Sequence, residues 1–306
     1  MNKAGWNRSP VLQWIFYGNF FYGICAVAQS VEAGLQQESS LNGWTYYSLV
    51  FLATVLYYNY PYARKFTAAS KNPRTTWYRH HYTFLWWHQV IVTVVLTIAT
   101  AVIFYKYKDL LPSLNAKHWL LAFLFPTVAG LYYGLNFLSI RYNLRSIGWL
   151  KPFVIGFTWA GLVVVYPVLW QKIQAGKSYD FTLFSLLLFI KNMMFIALLC
   201  IMFDIKDYAT DHSSNLKTFV VSLGLRKTIF FILLPLTLLG LLTFITYGVT
   251  HHFSGMKIAI NMIPFALLIM ASVALRKRRP IMYYHVVIDG LMLVKAACGI
   301  TAMLLF

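Results

Sequence analysis

Asp204, Asp207 and Asp211 are the residues whose types and spacing could do chemistry. They are three of only eight acidic residues in the chain, and they fall within Asp204-Ile205-Lys206-Asp207-Tyr208-Ala209-Thr210-Asp211. On an α-helix these positions lie within roughly 60° of one another and make a carboxylate stripe about 10 Å long. Like charges so close repel, so a cation is expected among them. Hard oxygen ligands at this spacing suit Mg²⁺, which keeps several waters and shares its remaining positions with substrate phosphates. The same stripe also reads as a helix end lying in water, its acids balanced by Lys206 and Lys217.

The elements that must position the stripe are membrane helices. The chain has 306 residues, of which 59% are hydrophobic and 11% charged, with a mean hydropathy of +0.62. That balance excludes a soluble domain and describes an all-α, multi-pass integral membrane protein. Nine apolar runs are expected to span, at 10–31, 43–60, 84–105, 118–138, 152–170, 181–203, 228–249, 257–275 and 283–304. The connections are short and no linker divides the chain, so residues 1–306 read as one nine-helix bundle. No small-residue cleavage site follows the first run, so no cleaved leader is expected. Cys25, Cys200 and Cys298 all lie in apolar runs, which predicts no disulfide framework.

The net charge of +18 would fit nucleic acid, but its distribution follows topology, and no nucleic-acid partner is expected. Of the 26 Lys and Arg residues, 18 fall at the amino terminus and in alternate connections, and 6 on the other side. The remaining two, Lys191 and Lys295, lie within runs. The bias predicts an inner-membrane protein with its amino terminus and the aspartate stripe in the cytoplasm.

The basic connections on that side read Arg64-Lys65 through Arg79, Arg141-Tyr142-Asn143-Leu144-Arg145 and Lys151-Pro152. Attraction to anionic lipid of the bilayer accounts for such loops in general. Carboxylates among cations also meet the needs of a metal–diphosphate site, where cations hold phosphate oxygens and carboxylates hold the bridging metal.

Asp204-x-x-Asp207-x-x-x-Asp211, followed by Asn215-Leu216-Lys217-Thr218 and Ser222-Leu223-Gly224, resembles the second aspartate motif of the UbiA superfamily of intramembrane prenyltransferases. The segment Leu144-Arg145-Ser146-Ile147-Gly148-Trp149-Leu150-Lys151, preceded by Tyr142, is similar to that family's Tyr-containing basic loop. The resemblance implies nine helices around a cytoplasm-facing cavity. It implies Mg²⁺-dependent prenyl transfer from a polyprenyl diphosphate to an aromatic or other lipophilic acceptor. Asp204, Asp207 and Asp211 would be the metal ligands, and Asn59, Arg64, Lys65, Tyr142, Arg145, Lys151 and Lys217 the substrate contacts.

The chain departs from the family at its first motif. Asn59 is in place, but Tyr60 and Ala63 stand where carboxylates are expected. Either Arg64 and Lys65 bind diphosphate directly, or ionisation no longer occurs. A non-catalytic relative that binds a polyprenyl or lipid phosphate is therefore the first alternative. A transporter using Lys191 and Lys295 in an intramembrane path is the second, because ionisable residues at that depth are functional candidates. Lys191 otherwise reads as paired within the bundle, with Asp289 as a candidate partner. Trp86 and Trp87 read as interfacial belt, and the adjacent His80-His81 do not face one way on a helix.

Overall fold

The computed structural model describes residues 9–62, 73–133, 144–250 and 252–306, and these contain helices and no strand. The helices are α1 (Pro10–Tyr17), α2 (Phe20–Gln36), α3 (Trp44–Asn59), α4 (Pro73–His80), α5 (Tyr82–Lys106) and α6 (Ala116–Tyr133). There follow α7 (Lys151–Gln174), α8 (Leu183–Ser213), the short α9 (Phe219–Leu223), α10 (Leu225–Thr250), α11 (Gly255–Ala274) and α12 (Ile281–Leu305).

Six of the described helices, α5, α7, α8, α10, α11 and α12, are long and apolar enough to cross a membrane. The count is seven if α1 and α2, bent by 60° at a short break, form one span. The expected runs at 43–60 and 118–138 are helical as α3 and α6 within the described residues, but they do not meet the same standard of length and apolarity. The 16 residues of α3 extend about 24 Å, short of the roughly 30 Å hydrocarbon layer.

The flanks say what surrounds the bundle. Ile91, Val94, Val95 and Ile98 of α5 are exposed together, as are Leu238, Leu239 and Leu242 of α10. A continuous apolar flank on this scale would be costly in water and is the natural surface in lipid. Trp86 and Trp87 are exposed at the start of α5, as the belt reading expects.

Helix α2 is central and packs against α3, α7 and α12, while α7 and α8 lie side by side. Their approach depends on Gly156, where a Cβ would press into the Met193 carbonyl oxygen. Gly161 similarly admits the Phe125 ring of α6 at the start of the π-helical stretch Gly161–Val165. Further π-helical stretches occupy Ile229–Leu233 and Tyr284–Ile288.

The residues after the aspartates punctuate the chain. Asn215 adopts φ 55°, and the Leu216 amide donates to the Asp211 carbonyl at 2.9 Å, closing the end of α8. Thr218 then caps α9, accepting from the Val221 amide at 3.3 Å. Gly224 adopts φ +81°, a left-handed conformation open to glycine, and turns the chain into α10.

Candidate functional site

The antiparallel contact of α7 with α8 sets the first residue of one helix against the last turns of the other. It brings Lys151 Nζ to 2.6 Å from Asp204 Oδ1, with the Asp204 side chain fully buried. The second carboxylate oxygen, Asp204 Oδ2, is buried without a hydrogen-bond partner, and so is Asp211 Oδ2. Asp207 differs from both, since its side chain is 43% exposed and sits 3.4 Å from Lys206.

The three aspartates therefore share a helix but not an environment. No group of three His, Cys, Asp or Glu among the described residues is arranged to hold a metal ion. The rise of α8 spreads positions 204 and 211 about 10 Å apart, and Lys151 already neutralises Asp204. The donor set fits Mg²⁺ in a narrower way, because that ion commonly takes one or two carboxylates and completes its shell with water and phosphate. The unpartnered oxygen of Asp211 and the open carboxylate of Asp207 are the groups that suit it.

Beside the stripe lies a cavity of about 430 Å³ enclosed by α2, α3, α6, α7, α8 and α12. Its lining combines Asp207, Arg145, Lys151, Lys206 and Arg74 with the aromatic residues Tyr57, Tyr58, Tyr132, Trp159 and Phe125. The walls are fixed by their polar handles. Trp159 Nε1 donates to the Tyr58 hydroxyl at 2.7 Å, Tyr57 donates to the Ala129 carbonyl at 3.0 Å, and the Tyr58 ring stacks on Tyr22 at 4.5 Å. Such rings hold rigid faces toward whatever fills the space.

Two of the expected substrate contacts, Arg145 and Lys151, are thus brought to the cavity. Lys217 is exposed and does not line it. Its backbone instead lies against Gly148, where a Cβ would come within 2.5 Å of the Lys217 carbonyl carbon. Arg64, Lys65 and Tyr142 lie outside the described residues. Asn59 is not among the residues that line the cavity. Its side chain is buried, accepts from Asn19 Nδ2 at 2.8 Å and donates to the Gly18 carbonyl at 3.1 Å. These bonds hold the break between α1 and α2, where Asn19 adopts φ 61°.

Arg74 is the cation that sequence reasoning missed at this half of the site. Its Nη2 donates to Asn19 Oδ1 at 2.8 Å and to the Tyr78 hydroxyl at 3.3 Å. The guanidinium carbon lies 4.8 Å from the Tyr62 ring centre, and Tyr62 stacks on Tyr78 at 4.1 Å. Burial pushes the Tyr78 phenol above its ordinary value, so it remains a donor, to the Tyr17 carbonyl. The available signal was Pro73 opening a helix with Arg74 and Tyr78 four residues apart, hence on one face.

No protein-family model matches the chain, and comparisons with curated proteins and with solved structures find no match.

A second carboxylate, Asp289, reaches the cavity from α12 directly after the π-helical stretch Tyr284–Ile288. Its Oδ2 accepts from the Tyr22 hydroxyl at 2.6 Å and lies 3.1 Å from His285 Nδ1. The His285 Nε2 atom is buried with no partner. This arrangement corrects the expected pairing of Lys191 with Asp289. Lys191 instead donates to Gln36 Oε1 at 3.1 Å, away from this cavity. The sulfhydryls of Cys25, Cys200 and Cys298 are free, as expected.

Proposed function

We propose that the protein is a UbiA-like membrane protein of nine spans, and that it transfers a prenyl group from an isoprenoid diphosphate to a lipophilic acceptor inside the bilayer. The observation that carries this reading is the composition of the 430 Å³ cavity, which lines one space with cations, Asp207 and aromatic rings. An amphiphile with an anionic head and an apolar, unsaturated tail matches that combination. The preponderance of basic residues on the stripe side supports a cytoplasmic mouth in the cell's inner membrane.

In this reading Arg145, Lys151 and Lys206 bind phosphate oxygens, and Arg74 adds a planar fork of donors where the first-motif carboxylates are missing. Mg²⁺, held by Asp207 and Asp211 together with phosphate oxygens, would supply charge neutralisation at the leaving diphosphate. The allylic C–O bond breaks, and its electron pair leaves with the diphosphate. The faces of Tyr58, Tyr57 and Trp159 stabilise the prenyl cation by cation–π attraction. The acceptor forms the new bond to that carbon and loses a proton. Asp289, the other carboxylate of the lining, is the acceptor for it.

A second reading, binding of a polyprenyl or lipid phosphate without turnover, is favoured by one observation. The Lys151–Asp204 ion pair already supplies internally the neutralisation that a metal would give Asp204.

Asp207→Asn keeps shape and removes charge. It is expected to weaken Mg²⁺-dependent binding of geranylgeranyl diphosphate at least tenfold, about 1.4 kcal/mol. Equal affinities of the variant with and without Mg²⁺, both matching wild type, would remove Asp207 from the site.

A further inference from the structure

A second chamber, of about 190 Å³, lies between α2, α8, α10, α11 and α12. Lys191 is 13 positions before Asp204 on α8, so this chamber is about 20 Å from the stripe. Its lining includes one Glu and two Lys, namely Glu32, Lys191 and Lys295. Lys295 Nζ lies 2.5 Å from Glu32 Oε2, and both side chains are almost fully buried. That pair is built into the backbone. Gly299, one turn beyond Lys295, leaves room for the Glu32 side chain, and a Cβ there would sit 2.5 Å from Glu32 Cγ. The other oxygen, Glu32 Oε1, accepts from Gln36 Nε2 at 3.1 Å, and Gln36 Oε1 in turn accepts from Lys191 at 3.1 Å.

The Glu32–Lys295 pair is neutral, so the charge of Lys191 is left over. An ammonium has three donors. Here one goes to a neutral amide oxygen, and the Phe244 ring, 5.9 Å away, offers only a weak attraction. An isolated charge in a low-dielectric setting is costly, and in membrane helices it marks a ligand or an ion pathway. Two other polar residues on the chamber wall, Thr243 and Asn261, are engaged with their own helices. Thr243 Oγ1 donates to the Leu239 carbonyl at 2.8 Å, and Asn261 Nδ2 donates to the Lys257 carbonyl at 2.9 Å. On the rim, Ile190 and Leu239 are exposed on the apolar flank of the bundle, so the chamber is reached from the lipid.

We propose that this chamber is a second binding site, for a lipophilic monocarboxylate such as a fatty acid, with Lys191 as its counter-ion. One carboxylate matches one surplus positive charge and takes the open N–H groups of Lys191. The first methylenes lie against Leu236, Phe244 and Leu268, and the rest of the chain leaves between Ile190 and Leu239 into the bilayer. The inference is independent of the transferase reading, because it concerns other residues at the opposite end of α8.

The test uses the purified full chain in a non-ionic detergent and the fluorescence of cis-parinaric acid, compared with its methyl ester. The acid is expected to bind saturably and at least tenfold more tightly than the ester, a comparison that needs no variant. Lys191→Gln is expected to lower the affinity for the acid at least tenfold and to leave the ester unchanged. Thr243→Phe, which fills the chamber without altering charge, is expected to weaken both ligands. Equal affinity of wild type for acid and ester, undiminished binding of the acid by Lys191→Gln, or no effect of Thr243→Phe would overturn the proposal.

Discussion

Lys151→Met is expected to destabilise the protein by about 3–5 kcal/mol, the range for removing one partner of a buried ion pair. The side chains of Lys151 and Asp204 are 17% and 0% exposed, so solvent screening is weak. The substitution leaves the Asp204 carboxylate buried, with Oδ2 already lacking a donor and Oδ1 newly deprived of one. The double variant Lys151→Met, Asp204→Leu removes both charges and is expected to recover most of the loss, since apolar replacements of a whole buried pair are often neutral. Equilibrium unfolding of the purified single and double variants in detergent measures both. If the double variant is less stable than the single one, the two residues are not coupled as a pair.

Arg74→Ala is expected to lower the affinity for geranylgeranyl diphosphate by about 1.5–3 kcal/mol, the range for a hydrogen bond to a charged group. That corresponds to a loss of about 10–150-fold. The guanidinium needs no metal, so the loss is expected to persist when Mg²⁺ is saturating. Arg74→Lys is not expected to restore it, because a point charge cannot reproduce contacts to Asn19, Tyr78 and a phosphate from one planar group. Tyr78→Phe disturbs the same cluster while keeping the guanidinium, and is expected to have the smaller effect. An affinity for Arg74→Ala equal to wild type, in a protein that still binds diphosphate, would remove Arg74 from the site.

Much of the helical framework was legible because apolar runs bounded by polar connections are local signals. Each of the nine expected runs overlaps a helix among the described residues. The bend between α1 and α2 was not legible within the first run, since it depends on Asn19 bonding to residues 39 to 59 positions away. The π-helical stretch before Asp289 and the tight approach at Gly156 are likewise tertiary facts without a periodic signature.

The candidate site was legible where its residues form one run and obscure where they do not. Asp204, Asp207 and Asp211 stand out by type and spacing in a chain poor in acids. Their unequal environments do not, because Lys151 reaches Asp204 across 53 positions. Arg74 was one basic residue among five in its connection, and its selection for the cavity comes from Tyr62, Tyr78 and Asn19 around it. Lys191 was legible as unusual, but its neighbours Gln36 and Phe244 come from other helices.

The central claim is that the 430 Å³ cavity binds an isoprenoid diphosphate. Calorimetric titration of the purified protein with geranylgeranyl diphosphate, with and without Mg²⁺, tests it most directly. The account predicts saturable binding under both conditions, because Arg74, Arg145, Lys151 and Lys206 act without a metal, and tighter binding when Mg²⁺ is present. Absence of binding under both conditions would contradict it.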